Sequence, residues 1–256
     1  MERLFGINSV HARLMLGSAG VDRVLLRDGK LSPRLEMLQA LAQKKGVEVE
    51  RISSGEFDKL TDLNHQGAGV VAQPIAMDEQ SLLSMIDRRV ELANTDDANS
   101  SRLLLLILDG ITDPRNLGAC IRSAASMGVD AIIVPKDKSA PLNEAASKTA
   151  SGGASLVPVV SVVNLARCIG QLQKRQVWVV GTLLETEQML HQVDMQDNIA
   201  IVMGSEGKGI RQKTAKCCDF LVKIPMVNAD LGFNVSVAAG IALYEVQKQR
   251  RYGTLS

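Results

Sequence analysis

Six short apolar segments dominate the second part of the chain, and helical or polar stretches separate them. The segments are LLLLILD (103–109), AIIVP (131–135), LVPVVSVV (156–163), VWVVGT (177–182), IAIVMG (199–204) and FLVKIP (220–225). Strands that are apolar along their whole length and alternate with helices are typical of a parallel sheet covered on both faces. The pattern therefore predicts an α/β domain, in which ligands bind at the carboxyl ends of the strands.

The first 76 residues predict a smaller α/β module. A helix is expected over 32–46, with Ser32 as N-cap, Pro33 at the first helical position and Gly46 past the end. Strands are expected at VDRVLLRD (21–28), VEVERIS (47–53) and GVVAQP (69–74).

Residues 77–102 pass from an amphipathic helical pattern into the polar run NTDDANSS, which is typical of a linker. The predicted domain limits are therefore 1–76, 77–102 and 103–256. The whole chain has a net charge of only +1, so any contact with RNA must come from local basic patches. Aromatic residues make up 3% of the chain, which argues against a base-stacking platform.

Several features predict a soluble cytoplasmic protein with no membrane contact and no metal site. The longest apolar run, residues 103–108, is too short to cross a bilayer. The N-terminus, MERLFGINSV, lacks the cationic start and apolar block of a signal peptide. The four cysteines show no C-x-x-C spacing and the three histidines are scattered, so no ligand set for zinc is apparent.

The first of three strand-end loops, LDGITDPRNLGACIRSAASMG (108–128), carries more polar residues than a turn requires. Asp113 is expected to cap a helix, and Asn116 then lies in its first turn. Arg115 and Arg122 are seven residues apart and share one face of that helix. This group suits an anion such as a phosphodiester. The alternative is a pair of solvated arginines on an ordinary helix.

Two further loops stand out. VMGSEGKGI (202–210) resembles a phosphate loop, but Lys208 precedes the last glycine, whereas the Walker pattern needs lysine after it. Its three glycines indicate sharp turns or close packing, and Glu206 among them is either a loop charge or a group that holds the turn. IPMVNADLGFNVSVAAG (224–240) leads from a strand end into the last helix, where Asn234 lies at the helix start.

In order along the chain, DPRNLGACIRSAASMGV, IVMGSEGKGI and IPMVNADLGFNVSVAAGIALYE resemble the three motifs of the SpoU (TrmH) class of RNA ribose 2′-O-methyltransferases. LFGINSVHARL and HQGAGVVAQP are similar to the N-terminal substrate-binding module of one branch, the 23S ribosomal RNA guanosine 2′-O-methyltransferases. The resemblance covers nearly the whole chain except the linker, and three motifs in the right order are highly specific.

The resemblance implies a SPOUT-type catalytic domain with a trefoil knot near its C-terminus, and an L30e/L7Ae-like N-terminal module that holds RNA. It implies S-adenosyl-L-methionine as cofactor and a homodimer with the site near the subunit interface. The implied substrate is 23S ribosomal RNA, methylated on the ribose of a guanosine in the peptidyl-transferase loop during ribosome biogenesis.

The motifs also imply site residues, carried over position by position. The catalytic residues are Asn116, Arg122, Glu206 and Asn234. The cofactor-binding residues are Gly204, Ile224 and Phe233. The chain departs from the family pattern at Gly232, where most members carry serine, and at Asn228, where glycine is usual.

A missing serine hydroxyl is worth roughly 0.5–1.5 kcal/mol, so we expect an active enzyme despite Gly232. Changing Gly232 to serine should alter the rate by about tenfold at most, provided that Gly232 does not need a positive φ. Because arginine carries its charge at all working pH values, we expect Arg122 to bind phosphate and stabilise the developing alkoxide.

Three rival functions stay open. The chain could be an RNA chaperone or assembly factor whose catalysis is impaired by Gly232, or a methyltransferase acting on another rRNA or tRNA site. It could also be a conventional nucleotide-binding enzyme, which the failed Walker pattern counts against. GAGVVA (67–72) fits a dinucleotide pattern but follows a polar run and precedes Pro74, so we reject that reading.

Overall fold

The computed structural model forms two compact units, which are described separately below. One unit comprises Met1–Ile75 with Ser151–Leu156, and the other comprises Ala76–Ala150 with Val157–Ser256. The structure describes residues 1–62, 64–93, 102–205, 207, 209–228 and 231–253, with the backbone alone at 92 and 93. No helix in these ranges is both long and apolar enough to span a bilayer.

The first unit is a four-stranded sheet with helices. Its strands are Glu2–Phe5 (β1), Val21–Arg27 (β2), Glu48–Ile52 (β3) and Ala68–Ala72 (β4), in the order β1-β4-β2-β3. Its helices are Ile7–Met15 (α1), Pro33–Lys44 (α2) and Ser54–Leu60 (α3). β2 and β3 are parallel, and β4 is antiparallel to both of its neighbours.

The structure confirms the helix predicted at 32–46 and rejects the dinucleotide pattern. Ser32 occupies the N-cap of α2, although its side chain makes no capping hydrogen bond, and Gly46 beyond the end has φ +67°. The GAGVVA segment forms β4, whose residues are all buried. No helix starts there, so the segment cannot place a helix N-terminus against a pyrophosphate.

The second unit is built on a six-stranded sheet in which every pairing is parallel, as the sequence predicts. Its strands are Leu104–Asp109 (β5), Ala131–Pro135 (β6), Val159–Val162 (β7), Trp178–Thr182 (β8), Ile199–Gly204 (β9) and Phe220–Val222 (β10), in the order β10-β8-β9-β5-β6-β7. Its helices are Glu79–Ala93 (α4), Pro114–Ser126 (α5), Glu144–Ala150 (α6), Leu165–Gln173 (α7), Gln212–Ala215 (α8) and Val235–Tyr252 (α9).

Helix α4 packs on the core of the second unit. Leu82 and Ile86 are fully buried in one cluster with Leu105 and Ile107 of β5. Three ion pairs tie the helix to the rest of the unit: Glu79–Arg167, Asp87–Arg175 and Arg89–Asp130. This helix lies in the interval 77–102, whose first part is therefore packed structure. The polar run at 94–101 lies outside the described residues, and the domain limits remain a prediction.

Helix α5 is fixed at both its start and its middle. Asp113 caps it by accepting a hydrogen bond from the Arg115 amide at 2.8 Å, as predicted. In its middle, a Cβ on Gly118 would lie only 2.3 Å from the Ala146 carbonyl oxygen, so α5 and α6 pack backbone to backbone. Helix α9 packs against α5 and β9. These contacts hold the start of α5 at the carboxyl end of the sheet.

Candidate active site

A cavity of about 380 Å³ lies at the carboxyl ends of the neighbouring strands β8, β9 and β10. Its volume falls within the roughly 300–1,000 Å³ of small-molecule sites, and its position follows the rule for parallel sheets. Its walls are mainly apolar side chains and glycine backbone: Thr182, Leu183, Leu184, Met203, Gly204, Ser205, Gly207, Gly209, Ile224, Met226, Leu231, Gly232, Phe233, Asn234, Val235 and Ala238.

The glycine-rich loop after β9 folds back onto the end of its own strand. A Cβ on Gly204 would lie 1.9 Å from the carbonyl carbon of Gly209 and 2.1 Å from the nitrogen of Ile210. Ser205 and Gly209 exchange two backbone hydrogen bonds of 3.1 and 2.8 Å, and Gly207 has φ +76°. Both readings of these glycines, sharp turning and close packing, are therefore correct, and no side chain fits at Gly204 without moving the loop.

Asn234 joins the start of α9 to the start of α5. Its Oδ1 accepts hydrogen bonds from the amide of Ser236 at 3.0 Å and from the hydroxyl of Ser236 at 2.7 Å. Its Nδ2 donates to Oδ1 of Asn116 at 3.0 Å. Because Asn234 also lines the cavity, this hydrogen bond connects the first turn of α5 to the cavity edge.

Gly232 has φ +61°, a left-handed conformation that favours glycine. A Cβ built there meets no atom within 4 Å, so the backbone, and not crowding, opposes a side chain. The neighbouring Phe233 is 42% exposed, and Ile224, which also lines the cavity, is buried. The cavity lining therefore contains both buried and partly exposed apolar side chains.

Residues 103–244 match the SpoU rRNA Methylase family, and residues 3–76 match the RNA 2′-O ribose methyltransferase substrate-binding family. The chain belongs to the SpoU rRNA methylase family. It is 41% identical over 251 residues to the 23S rRNA (guanosine-2′-O-)-methyltransferase RlmB of Pseudomonas putida, with 98% of each chain covered. It is 42% identical over 248 residues to the RlmB protein of Xanthomonas campestris, with 96% of each chain covered.

Solved SpoU structures share the fold. The methyltransferase AviRb from Streptomyces viridochromogenes, in complex with AdoMet, gives a TM-score of 0.62 at 21% identity and covers 98% of this chain and 91% of its own. An AdoMet-bound rRNA methyltransferase from Sinorhizobium meliloti gives 0.59 at 20% identity and covers 100% of this chain and 88% of its own. The predicted SpoU-type α/β fold is therefore confirmed.

The cavity brings together several of the residues that the SpoU motifs predict. Gly204, Ile224, Phe233 and Asn234 all line it, and Asn116 is hydrogen-bonded to its edge. These residues come from all three motifs, which are far apart in sequence. Their roles in cofactor binding and catalysis remain predictions.

Of the four predicted catalytic residues, Asn234 lines the cavity, Asn116 is hydrogen-bonded to Asn234 at its edge, and the other two are not placed there. Arg122 is exposed on α5 and does not line the cavity. It follows Asn116 by six residues, and at about 100° per residue the two side chains leave the helix in directions about 120° apart. Glu206 lies outside the described residues.

Sequence reasoning missed the contribution of β8. Thr182 at its end lines the cavity and donates a hydrogen bond from Oγ1 to the Val202 carbonyl at 3.0 Å, which ties β8 to β9. Leu183 and Leu184 follow on the same wall. The signal was available, because the rule that ligands bind at strand ends applies equally to the VWVVGT segment.

Cys168 and Cys218 are weakly acidic thiols, and the part of the chain that the structure describes holds no cluster of metal ligands. Burial raises the pKa of both Cys168 and Cys218 to about 12, so these thiols stay protonated at neutral pH. No group of three or more His, Cys, Asp or Glu side chains within the described ranges could hold a metal ion.

Proposed function

We propose that this chain transfers a methyl group from S-adenosylmethionine to the ribose 2′-hydroxyl of a guanosine in 23S ribosomal RNA, in the cytoplasm and during ribosome biogenesis. The observation that carries the proposal is the cavity at the carboxyl ends of β8, β9 and β10, with the Asn116–Asn234 hydrogen bond at its edge. The RlmB name of relatives matched over almost their whole length supports the guanosine and the 23S rRNA. The proposed nucleotide lies in the peptidyl-transferase loop.

The cavity has the chemistry that S-adenosylmethionine needs. Met203, Ile224 and Phe233 offer apolar surface for an adenosine, and Gly204, Gly207 and Gly209 present backbone that a ligand can approach closely. We assign cofactor binding to Gly204, Ile224 and Phe233. When bound, this cofactor supplies a methyl group activated by a sulfonium centre.

The polar residues would handle the ribose and its phosphate. Asn116 and Asn234 both carry amides that donate and accept, so their pair can orient a hydroxyl at the cavity edge. Arg122, whose guanidinium offers five N–H donors, is assigned to a flanking phosphate and to the developing alkoxide. Glu206 is assigned to holding the turn of the second motif. Together these four residues form the proposed catalytic group.

We also propose that the molecule acts as a homodimer. Leu231, which lines the cavity, is 83% exposed. Val237 and Tyr244 on α9 are 49% and 57% exposed, and their spacing of seven residues places them on one face of that helix. Exposed large apolar side chains are typical of a surface that another protein covers. A second copy of the chain would bury them and narrow the cavity mouth.

The remaining architecture is proposed on the family resemblance. Residues 1–76 would hold the RNA, which their match to a substrate-binding family supports. Residues 103–256 would form the methyltransferase domain, and their C-terminal part would carry the trefoil knot. Residues 77–102 would connect the two, with α4 packed on the catalytic side.

Methyl transfer tests the proposal directly. The full chain, S-adenosylmethionine labelled on the methyl group and unmodified 23S rRNA should give label on one guanosine, located by a 2′-O-methyl-sensitive primer-extension stop. Label in tRNA or at another rRNA site would support a different target. RNA binding with no transfer would support the assembly-factor reading.

A further inference from the structure

Asp109, the last residue of β5, is a fully buried carboxylate to which no role has been assigned. Both of its oxygens are used by Arg211. Oδ1 accepts a hydrogen bond from the Arg211 Nε at 2.6 Å and is also contacted by Nη2, while Oδ2 accepts one from the Arg211 backbone amide at 3.1 Å. A buried charge is tolerated only with such compensation, so Arg211 is held in one position.

The ion pair lies directly behind the cavity wall. In the β5–β9 register Asp109 is the partner of Gly204, the cavity-lining residue whose missing side chain leaves room for Gly209 and Ile210. Arg211 is the next residue along the chain. The pair therefore fastens the returning part of the glycine-rich loop, residues 209–211, to the end of β5.

We propose that Asp109 and Arg211 are positioning residues that hold the cofactor-binding wall in shape. Neither lines the cavity, so they would act through the backbone at 209–210 and not by touching the ligand. The identity of that ligand rests on the proposed function. If the ion pair served only stability, breaking it would lower the melting temperature and leave the cofactor affinity of the folded protein unchanged.

Arg211→Lys is the sharpest variant. Lysine keeps the charge opposite Asp109 and the backbone hydrogen bond, so the fold is retained, but it cannot reproduce the guanidinium fork. Arg211→Gln removes the charge as well. Arg175→Lys is the control for loss of a fork: Arg175 pairs with the half-exposed Asp87 at 2.7 and 3.3 Å in the same unit and does not line the cavity.

The experiment measures calorimetric S-adenosylmethionine affinity, KM for each substrate and melting temperature on the full chain. We expect Arg211→Lys to weaken cofactor affinity roughly tenfold, with KM for RNA unchanged, and Arg211→Gln to weaken it further if it folds. Arg175→Lys should leave the affinity as in the wild type.

Two results would overturn the positioning role alone. One is a folded Arg211→Lys variant with the wild-type affinity for S-adenosylmethionine. The other is an Arg175→Lys variant whose affinity falls as much as that of Arg211→Lys. A wild type that does not bind S-adenosylmethionine would overturn this role and the proposed function together.

Discussion

The effect of replacing Gly232 by serine can be predicted, because its two opposing contributions, backbone strain and a hydroxyl hydrogen bond, can both be estimated. Gly232→Ser would introduce the hydroxyl that the family resemblance leads us to expect two positions before Asn234, the proposed catalytic asparagine. The structure gives Gly232 φ +61° and open space around its Cβ position, so the side chain meets backbone strain but no clash. The condition attached to the sequence-based estimate, that no positive φ is needed, is therefore not met.

The strain must be added to the hydroxyl term. Placing a side chain in the left-handed region costs roughly 1–2 kcal/mol, and a hydroxyl hydrogen bond returns about 0.5–1.5 kcal/mol. The net effect runs from a gain of about 0.5 to a loss of about 1.5 kcal/mol, so the serine variant should stay within roughly tenfold of wild type. Gly232→Ala has the strain without the hydroxyl and should lose roughly fivefold to thirtyfold.

The assay is the initial rate of methyl transfer to 23S rRNA, with cofactor affinity measured by calorimetry on the same preparations. The ratio of the serine to the alanine variant isolates the hydroxyl, because both carry the same strain. An alanine variant equal to wild type in rate, affinity and melting temperature would show that the left-handed conformation is not needed. An inactive wild type made active by Gly232→Ser would refute the reasoning and support an impaired RNA-binding protein.

Four further predictions concern the polar residues and the domain limits. Arg122→Ala should abolish methyl transfer and leave S-adenosylmethionine affinity nearly unchanged by calorimetry; loss of both in a folded protein would contradict its assignment to RNA. Asn234→Asp keeps the helix-capping acceptor and loses the Nδ2 donor, so its melting temperature should hold while transfer falls roughly fivefold to a hundredfold. A fragment of residues 76–256 should fold, bind cofactor and methylate RNA poorly, and full activity would show that the N-terminal module is dispensable. Starting instead at residue 103 removes two fully buried side chains of α4, worth roughly 3–6 kcal/mol, so 103–256 should melt at a lower temperature.

Strand positions in the second unit could be predicted because strands buried on both faces are continuously apolar. The predicted start of one strand was less accurate because a proline lies within the apolar segment. The strand predicted over 156–163 is observed at Val159–Val162, directly after Pro158, which has no amide to donate to a neighbouring strand. In the first unit, β1 was not predicted, because its four residues are too few to show an alternation of apolar and polar side chains.

Site residues that lie within a sequence motif could be predicted. Contacts and conformations that depend on tertiary structure could not. The Asn116–Asn234 hydrogen bond joins residues 118 positions apart, and no local pattern encodes it. The sequence places Asp109 at the end of an apolar segment, but it does not show that the carboxylate is fully buried. The φ of Gly232 likewise depends on the path of a loop between a strand and a helix.

The choice of residue at 234 illustrates how fold and site constrain each other. Ser, Thr, Asp and Asn are all favoured at a helix start, because each offers an oxygen to the first amides of the helix. In α9 that oxygen is committed to the amide and hydroxyl of Ser236, which fixes the direction of the other end of the side chain. Only asparagine among the four then presents an N–H to Asn116. Capping of α9 favours Ser, Thr, Asp or Asn at position 234, and the hydrogen bond to Asn116 then selects asparagine.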